Sequence, residues 1–213
     1  TYAGNTLRRI GESTNDVPTA RSATSAVTSA AFVHDTTVFG ATGPVMGQRY
    51  RAAIGTTVGD LMVTTASGDY RRYFAPTDRF TIATRLEHVA RIGRDVTDPR
   101  LLPLIWSPRE IVRGYARDGV VERASQLSAA NVELRSPLSS IVGRPTDRLL
   151  PVELFAFSDW GRFRAPATVG FNAASRQLWS AGIGTRVNAS GFVFEFNGAR
   201  TLFYKEVLRF WKV

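Results

Sequence analysis

Arg79-Phe-Thr-Ile-Ala-Thr-Arg-Leu-Glu-His-Val-Ala-Arg-Ile92 alternates in polarity along most of its length. Phe80, Ile82, Leu86, Ala90 and Ile92 share one face, and Thr81, Arg85, Glu87 and Arg91 share the other. Successive side chains of an extended chain point to opposite sides, so this period of two predicts a β-strand with one apolar and one ionised face. The same period recurs on both sides of it. Upstream it runs through Ser25 to Phe39, Gln48 to Val58 and Leu61 to Phe74; downstream through Gln126 to Ser136, Leu150 to Gly161, Trp179 to Asn188 and Phe192 to Ala199, with a last strand at Lys205 to Val213. Residues 2–10 add a weak first strand, so 1–24 reads as that strand and a polar loop, and 25–213 as one β-region of nine strands, ten in all with the first. Turns are expected at the glycine-rich Gly40 to Gly47, at Gly59-Asp60 as a two-residue hairpin, at Ala75 to Asp78 and at Ala189-Ser190-Gly191.

The interval 93–124 breaks the pattern. It holds no clear period, yet Leu101, Leu102, Leu104, Ile105 and Trp106 give it more apolar surface than a solvated segment carries. Ordered loops of this length inside a compact chain are usually functional. At its centre is Pro108-Arg-Glu-Ile-Val-Arg-Gly-Tyr115. We read Arg113, followed by a glycine that frees the backbone, as the group that anchors this loop inside a barrel made by the other strands.

Composition narrows the class without naming a function. The 213 residues fit one domain, and 44% hydrophobic content with 18 Gly and 10 Pro is near globular averages. No apolar run is long enough for a transmembrane helix, but a transmembrane β-barrel leaves no such run because only alternate residues meet lipid. The absence of cysteine excludes disulfides, zinc–thiolate sites and a thiol nucleophile. The net charge is +9, and all but Lys205 and Lys212 of the 27 basic residues are arginines spread along the chain. That spread argues against a nucleic-acid-binding tail. Thr1 to Ile10 lack the basic-then-apolar build of a secretory signal, so the chain reads as a mature protein or a fragment.

Nothing points to catalysis. His34 precedes Asp35, but neighbours on a strand face opposite ways, and His88 falls on the apolar face of its strand. There is no Gly-x-Ser-x-Gly elbow, metal-ligand cluster or phosphate-binding glycine loop. No enzyme, cofactor or metal is therefore expected. What the polar faces do carry is charge of both signs: Arg85, Glu87 and Arg91; Glu133 and Arg135; Asp159; Arg186; Glu195. In a membrane barrel such groups line the lumen and pair there; in a soluble sandwich they would meet water. Aromatic residues near strand ends, namely Tyr70, Tyr73, Phe74, Trp160, Trp179, Tyr204, Phe210 and Trp211, suit interfacial girdles or an ordinary core.

Four motifs in order carry a family resemblance. Val112-Arg113-Gly114-Tyr115 in the long loop, Asn131-Val-Glu133-Leu-Arg135-Ser-Pro137-Leu138 after it, Phe157-Ser-Asp159-Trp-Gly161, and Gly182-Ile-Gly184-Thr-Arg186 resemble the barrel motifs of the bacterial surface-antigen family, the BamA/TamA-like outer-membrane assembly barrels. Val33-His34-Asp35 and Asp69-Tyr-Arg71-Arg72-Tyr73 are similar to the branch whose barrel follows a large soluble region. The resemblance implies an antiparallel up-and-down transmembrane β-barrel in the bacterial outer membrane, with outer-membrane lipid and lipopolysaccharide around it and other outer-membrane or periplasmic proteins as partners. It implies that Arg113, Gly114 and Tyr115 enter the lumen, that Asp159 receives Arg113, and that Glu133, Arg186, Phe157 and Gly161 belong to the same seat. Family barrels have sixteen strands and soluble repeats before them. This chain matches only the C-terminal part, either as a piece of such a barrel or as a small one, and it ends in Val213 where an aromatic residue is usual. The function implied is insertion or export of outer-membrane proteins. The alternatives are a pore or structural subunit of a larger complex, and a soluble β-barrel carrier of a small ligand.

Overall fold

A computed structural model describes residues 3–4, 24–98, 100–101, 104–106, 111–115, 122–143, 150–166 and 174–203. The protein is all-β: one antiparallel sheet in which each long strand pairs with its neighbours along the chain. A two-residue strand β1 (Ala3–Gly4) lies beside β2 (Ser25–Asp35), followed by the short β3 (Val38–Phe39) and the long β4 (Pro44–Gly59), β5 (Val63–Thr77) and β6 (Phe80–Ile92). Within the large loop β7 (Leu104–Trp106) and β8 (Glu122–Ala124) form a separate ribbon. The sheet resumes with β9 (Gln126–Pro137), β10 (Val152–Ala165), β11 (Ala174–Ala189) and β12 (Phe192–Phe203). Its order is β1-β2-β4-β5-β6-β9-β10-β11-β12, with β3 on the side of β4.

Eight strands of 11 to 16 residues do the structural work. At about 3.3 Å per residue each is 35–50 Å long. The sheet curls strongly. Thr42, in the turn before β4, donates its hydroxyl to Glu153 on β10 at 2.7 Å, although β4 and β10 are separated by three strands in the sheet. The neighbouring Asn188 on β11 donates its amide to the Ala41 carbonyl of the same turn. Charged and polar side chains occupy much of the inner face, while many large apolar ones lie on the outside: Leu86 is 55% exposed, Ile183 71% and Phe196 61%. A soluble sandwich does the reverse.

Several turns differ from the sequence reading, each for a local reason. Residues 44–47, expected in a turn, belong to β4. At φ +97° Gly47 bulges the strand against Thr36, where a Cβ would stand 2.2 Å from the Thr36 carbonyl oxygen. The β4–β5 connection is Asp60 to Met62, not a two-residue hairpin at Gly59-Asp60, because Gly59 ends β4 and the Asp60 carboxylate caps the Thr24 amide at 2.8 Å. Ser190 and Gly191 do form a two-residue hairpin, both with φ > 0 (52° and 91°), the requirement of a type I′ turn. Residues 138–142, in the long connection after β9, wind into one short helix closed by Gly143 at φ 69°. The expected strand at 205–213 and most of the weak strand at 2–10 lie outside the described residues.

The inner face has two zones. Toward the end where the large loop emerges, Val89, Leu127, Ala129, Phe163 and Leu178 form an apolar layer, and Ile111, Val112 and Tyr115 of the loop close it; Val112 and Leu127 are completely buried. Farther along the strands the same face turns ionic. The loop therefore docks as an apolar plug with a charged tip.

Candidate functional site

The tip is Arg113. The loop is turned at Gly114, with φ 93°, a conformation that favours glycine over any residue with a Cβ. Packing of Ile111 and Val112 on Gly161 brings the tip down: a Cβ at Gly161 would lie 3.0 Å from Val112 Cγ2 and 3.1 Å from Ile111 Cγ2. Thus Gly161 provides close approach, whereas Gly114 provides the turn.

Arg113 then meets two strands. Its Nε and Nη2 donate to the two oxygens of Asp159 at 2.8 Å each, and its backbone N–H donates to Asp159 Oδ2 at 3.1 Å. Its Nη1 donates to Glu133 at 2.6 Å. Asp159 is 1% exposed, so the pair is shielded from bulk water on the carboxylate side. Asn131 fixes that carboxylate from the neighbouring strand: its amide donates to Asp159 Oδ1 at 2.9 Å and to the Ile111 carbonyl at 3.0 Å. One side chain thereby ties strand, carboxylate and loop backbone together.

Glu133 is the node of the cluster. It receives Arg113, Arg135 at 2.7 Å and Arg186 at 3.1 Å. Arg186 also donates to Glu195 at 2.8 Å and lies 3.9 Å from Glu153. Three guanidinium groups around one carboxylate would repel one another without the flanking acids. Asp159, Glu195 and Glu153 supply those charges.

The aromatic residues complete the seat. Arg113 stands 3.7 Å from the Phe157 ring centre, and Arg186 stands 4.4 Å from that of Phe155, within cation–π range. These rings can lie flat because their cross-strand partners on β11 are Gly182 and Gly184. A Cβ at Gly182 would sit 2.7 Å from Phe157 Cζ, and one at Gly184 2.4 Å from Phe155 Cζ. The spacing Phe155-Ala-Phe157 on β10 against Gly182-Ile-Gly184 on β11 is thus a single packing device, two rings laid over two glycines.

The geometry brings Arg113, Asp159, Glu133, Arg186, Phe157 and Gly161 into one site, and buries Tyr115 in the apolar layer above it. It also recruits Asn131, Arg135, Glu153, Phe155 and Glu195. Of these, the sequence alone puts Arg135 and Glu195 on polar faces and Asn131 in a motif, without linking them. The signal was available: in the register of β9 to β12 Asn131 faces Asp159, Glu133 faces Phe157 and Arg186 faces both Glu153 and Glu195. A second group, Asp69 with Arg71 and Arg85 at 2.8–2.9 Å and Glu87 with Arg85 at 2.8 Å, continues the ionic face onto β5 and β6. Tyr73 does not belong to any girdle. It points inward, 8% exposed, beneath Arg135, because odd positions of β5 hold the inner register. Tyr70, Trp160 and Trp179 do lie outward in one row across the sheet, through Leu86 and Ala130. Tyr204, Phe210 and Trp211 are outside the described residues.

What the site can do is structural and electrostatic. Among the described residues it presents saturated ion pairs with no nucleophile aligned to a base. No protein-family model matches the chain, and no curated protein is significantly similar to it.

Proposed function

We propose that this chain forms a transmembrane β-barrel of the bacterial outer membrane, of the kind that inserts or exports outer-membrane proteins, with its large loop folded into the lumen and latched there by Arg113. One observation carries the reading: the strand carboxylates are turned inward and paired with arginines, while large apolar side chains such as Phe32, Ile54, Leu86, Ile183 and Phe196 are turned outward on strand after strand. In water that arrangement would leave an apolar surface far larger than soluble proteins expose. In hydrocarbon it is the stable one, since each strand's outward residues meet lipid and its inward charges find partners. A soluble carrier needs the opposite, an apolar interior around its ligand.

Closure belongs to the same proposal. Open sheet edges are not tolerated within hydrocarbon. Eight long strands are also enough for a barrel whose interior is filled by side chains. The curl that brings the turn at Thr42 to β10 and β11 supports closure of this sheet, alone or with further strands. The assembly function rests on the four motif resemblances and is the reading we adopt. A pore or structural subunit would share the same barrel. Solubility tests the membrane part: the chain is expected to require detergent and to insert into vesicles, with Trp160 and Trp179 quenched by lipids brominated near the headgroup. Monodisperse protein in plain buffer would refute it. Client handling is tested by depletion in the native host, with reduced outer-membrane protein content as the expected result.

A further inference from the structure

The outward face of the barrel is not electrically neutral. Every carboxylate on the eight long strands, from Asp35 to Glu195, holds the inward register, whereas Arg72, Arg162, Arg164 and Arg200 point outward. Arg162 and Arg164 are close together on β10, at the end of the strands where the large loop emerges. Arg162 is flanked across the sheet by Ser128 and Gln177, and Arg164 by Gln126 and Ser175. His88 extends the patch, with its Nδ1 2.9 Å from Ser128 Oγ. One step toward the middle of the sheet lies the aromatic row of Trp160 and Trp179. Tryptophans mark headgroup depth in membrane barrels, so the two arginines lie just beyond it, where lipid phosphates are.

Neither guanidinium has a hydrogen-bond partner among the described residues, and Arg162 Nε is shielded from solvent without one. A shielded guanidinium nitrogen is costly to leave unpaired, and a phosphate oxygen is its best-matched acceptor. Alternate positions on one strand put the two side chains about 7 Å apart at their base, within reach of one headgroup.

We propose that Arg162 and Arg164, with His88 and Ser128 beside them, bind the phosphorylated headgroup of an anionic outer-membrane lipid against the barrel wall. This rests on the membrane reading above. It adds a partner of defined chemistry and a place for it: a lipid phosphate, held on the outside of β9 to β11 at the large-loop end.

The test uses the full chain in neutral detergent, titrated with diphosphoryl lipid A or with the same lipid after removal of its phosphates, and read by native mass spectrometry. The wild type is expected to bind the phosphorylated lipid preferentially. Arg162→Gln with Arg164→Gln should weaken that binding roughly tenfold or more, while Arg162→Lys with Arg164→Lys keeps most of it and Arg72→Gln all of it. Equal binding of the two lipids, or unchanged binding by the double glutamine variant, would overturn the proposal while leaving the barrel intact. Inorganic phosphate matching the phosphorylated lipid in affinity would also overturn it. A wild-type chain that needs no detergent and enters no vesicle would bring down the membrane reading first, a different and recognisable failure.

Discussion

Replacing Asp159 by alanine removes the seat of the loop without touching the loop itself. The carboxylate accepts both arms of the Arg113 guanidinium at 2.8 Å, the Arg113 backbone N–H and the Asn131 amide. It is almost completely buried. Breaking a buried ion pair by removing one partner costs about 3–5 kcal/mol, because the other charge is left uncompensated. Here Glu133 still holds one arm of Arg113, so the lower end applies, about 3 kcal/mol. That is roughly a hundredfold or more in the equilibrium between docked and released loop. Arg113→Ala removes the same contacts from the other side and leaves Asp159 buried with only Asn131, so its effect should be similar. The assay is limited proteolysis and amide exchange across 93–124 in detergent, with strand amides of β9 and β10 as the internal reference. Both variants should expose the loop while the strands stay protected. Unchanged protection of 93–124 in both would refute the idea that this pair holds the loop.

Glu133→Gln strips the shared carboxylate from three arginines at once, so it should lower the denaturation midpoint more than Glu195→Gln, whose carboxylate sits at the rim of the cluster. Gly182→Ala drives a methyl into the Phe157 ring and the Gly198 carbonyl, at 2.7 and 2.1 Å before relaxation. It should cost about 1–3 kcal/mol in unfolding experiments, against almost nothing for Gly68→Ala, since nothing lies near that position and its backbone is not left-handed. At the loop junction, the Met62 N–H and then Arg94 hold the Asp95 carboxyl below the ordinary aspartate value. A lowered carboxyl stabilises the fold above its unfolded value and loses that contribution as pH falls through the folded one. The protection of the Met62 amide, measured against the unstructured exchange rate at the same pH, should therefore fall on acidification below about pH 4, and Asp95→Asn should remove that pH dependence. Finally, Thr42→Val combined with Arg113→Ala should depart from additivity by about 0.5 kcal/mol or more, read from loop and turn exchange; strict additivity would mean that the two ends of the cluster act independently.

The strands were legible because a sheet with one ionised and one apolar face writes its two environments into alternate residues. Arg79 to Ile92 and Leu150 to Gly161 show both environments, and β6 and β10 follow them closely. Ends were less legible. At Pro44 to Gly47 the glycines mark a bulge and a close approach to Thr36, which a sequence cannot distinguish from a turn. Tyr73 was left between a girdle and a core because an aromatic at a strand end fits both; its parity, odd along β5 with Asp69 and Arg71, assigns it inward. The site was half visible. Arg113 and Asp159 stood out through motif resemblance, but Asn131, Glu153 and Phe155 acquire meaning only when the register sets them opposite Asp159, Arg186 and Gly184.

The ionic cluster joins segments that enter the inner face from opposite ends of the sheet. Arg113 comes from the large loop between β6 and β9. Thr42, in the turn between β3 and β4, and Pro44, the first residue of β4, lie at the other end of the strands. Both reach the same few side chains: Arg113 ends on Glu133, and Glu133 holds Arg135, whose Nη1 donates to the Pro44 carbonyl at 3.2 Å. Glu133 also holds Arg186, which lies beside the Glu153 that accepts the Thr42 hydroxyl. Each guanidinium bridges two acceptors, so displacing the loop arginine alters the charge balance that fixes the remaining two. A carboxylate surrounded by two arginines instead of three attracts each more strongly. Release of the loop should therefore tighten the contacts to the turn, and opening the turn should tighten the hold on the loop. The loop and the turn then oppose simultaneous release from the inner face, through competition for one glutamate and without any movement of the strands.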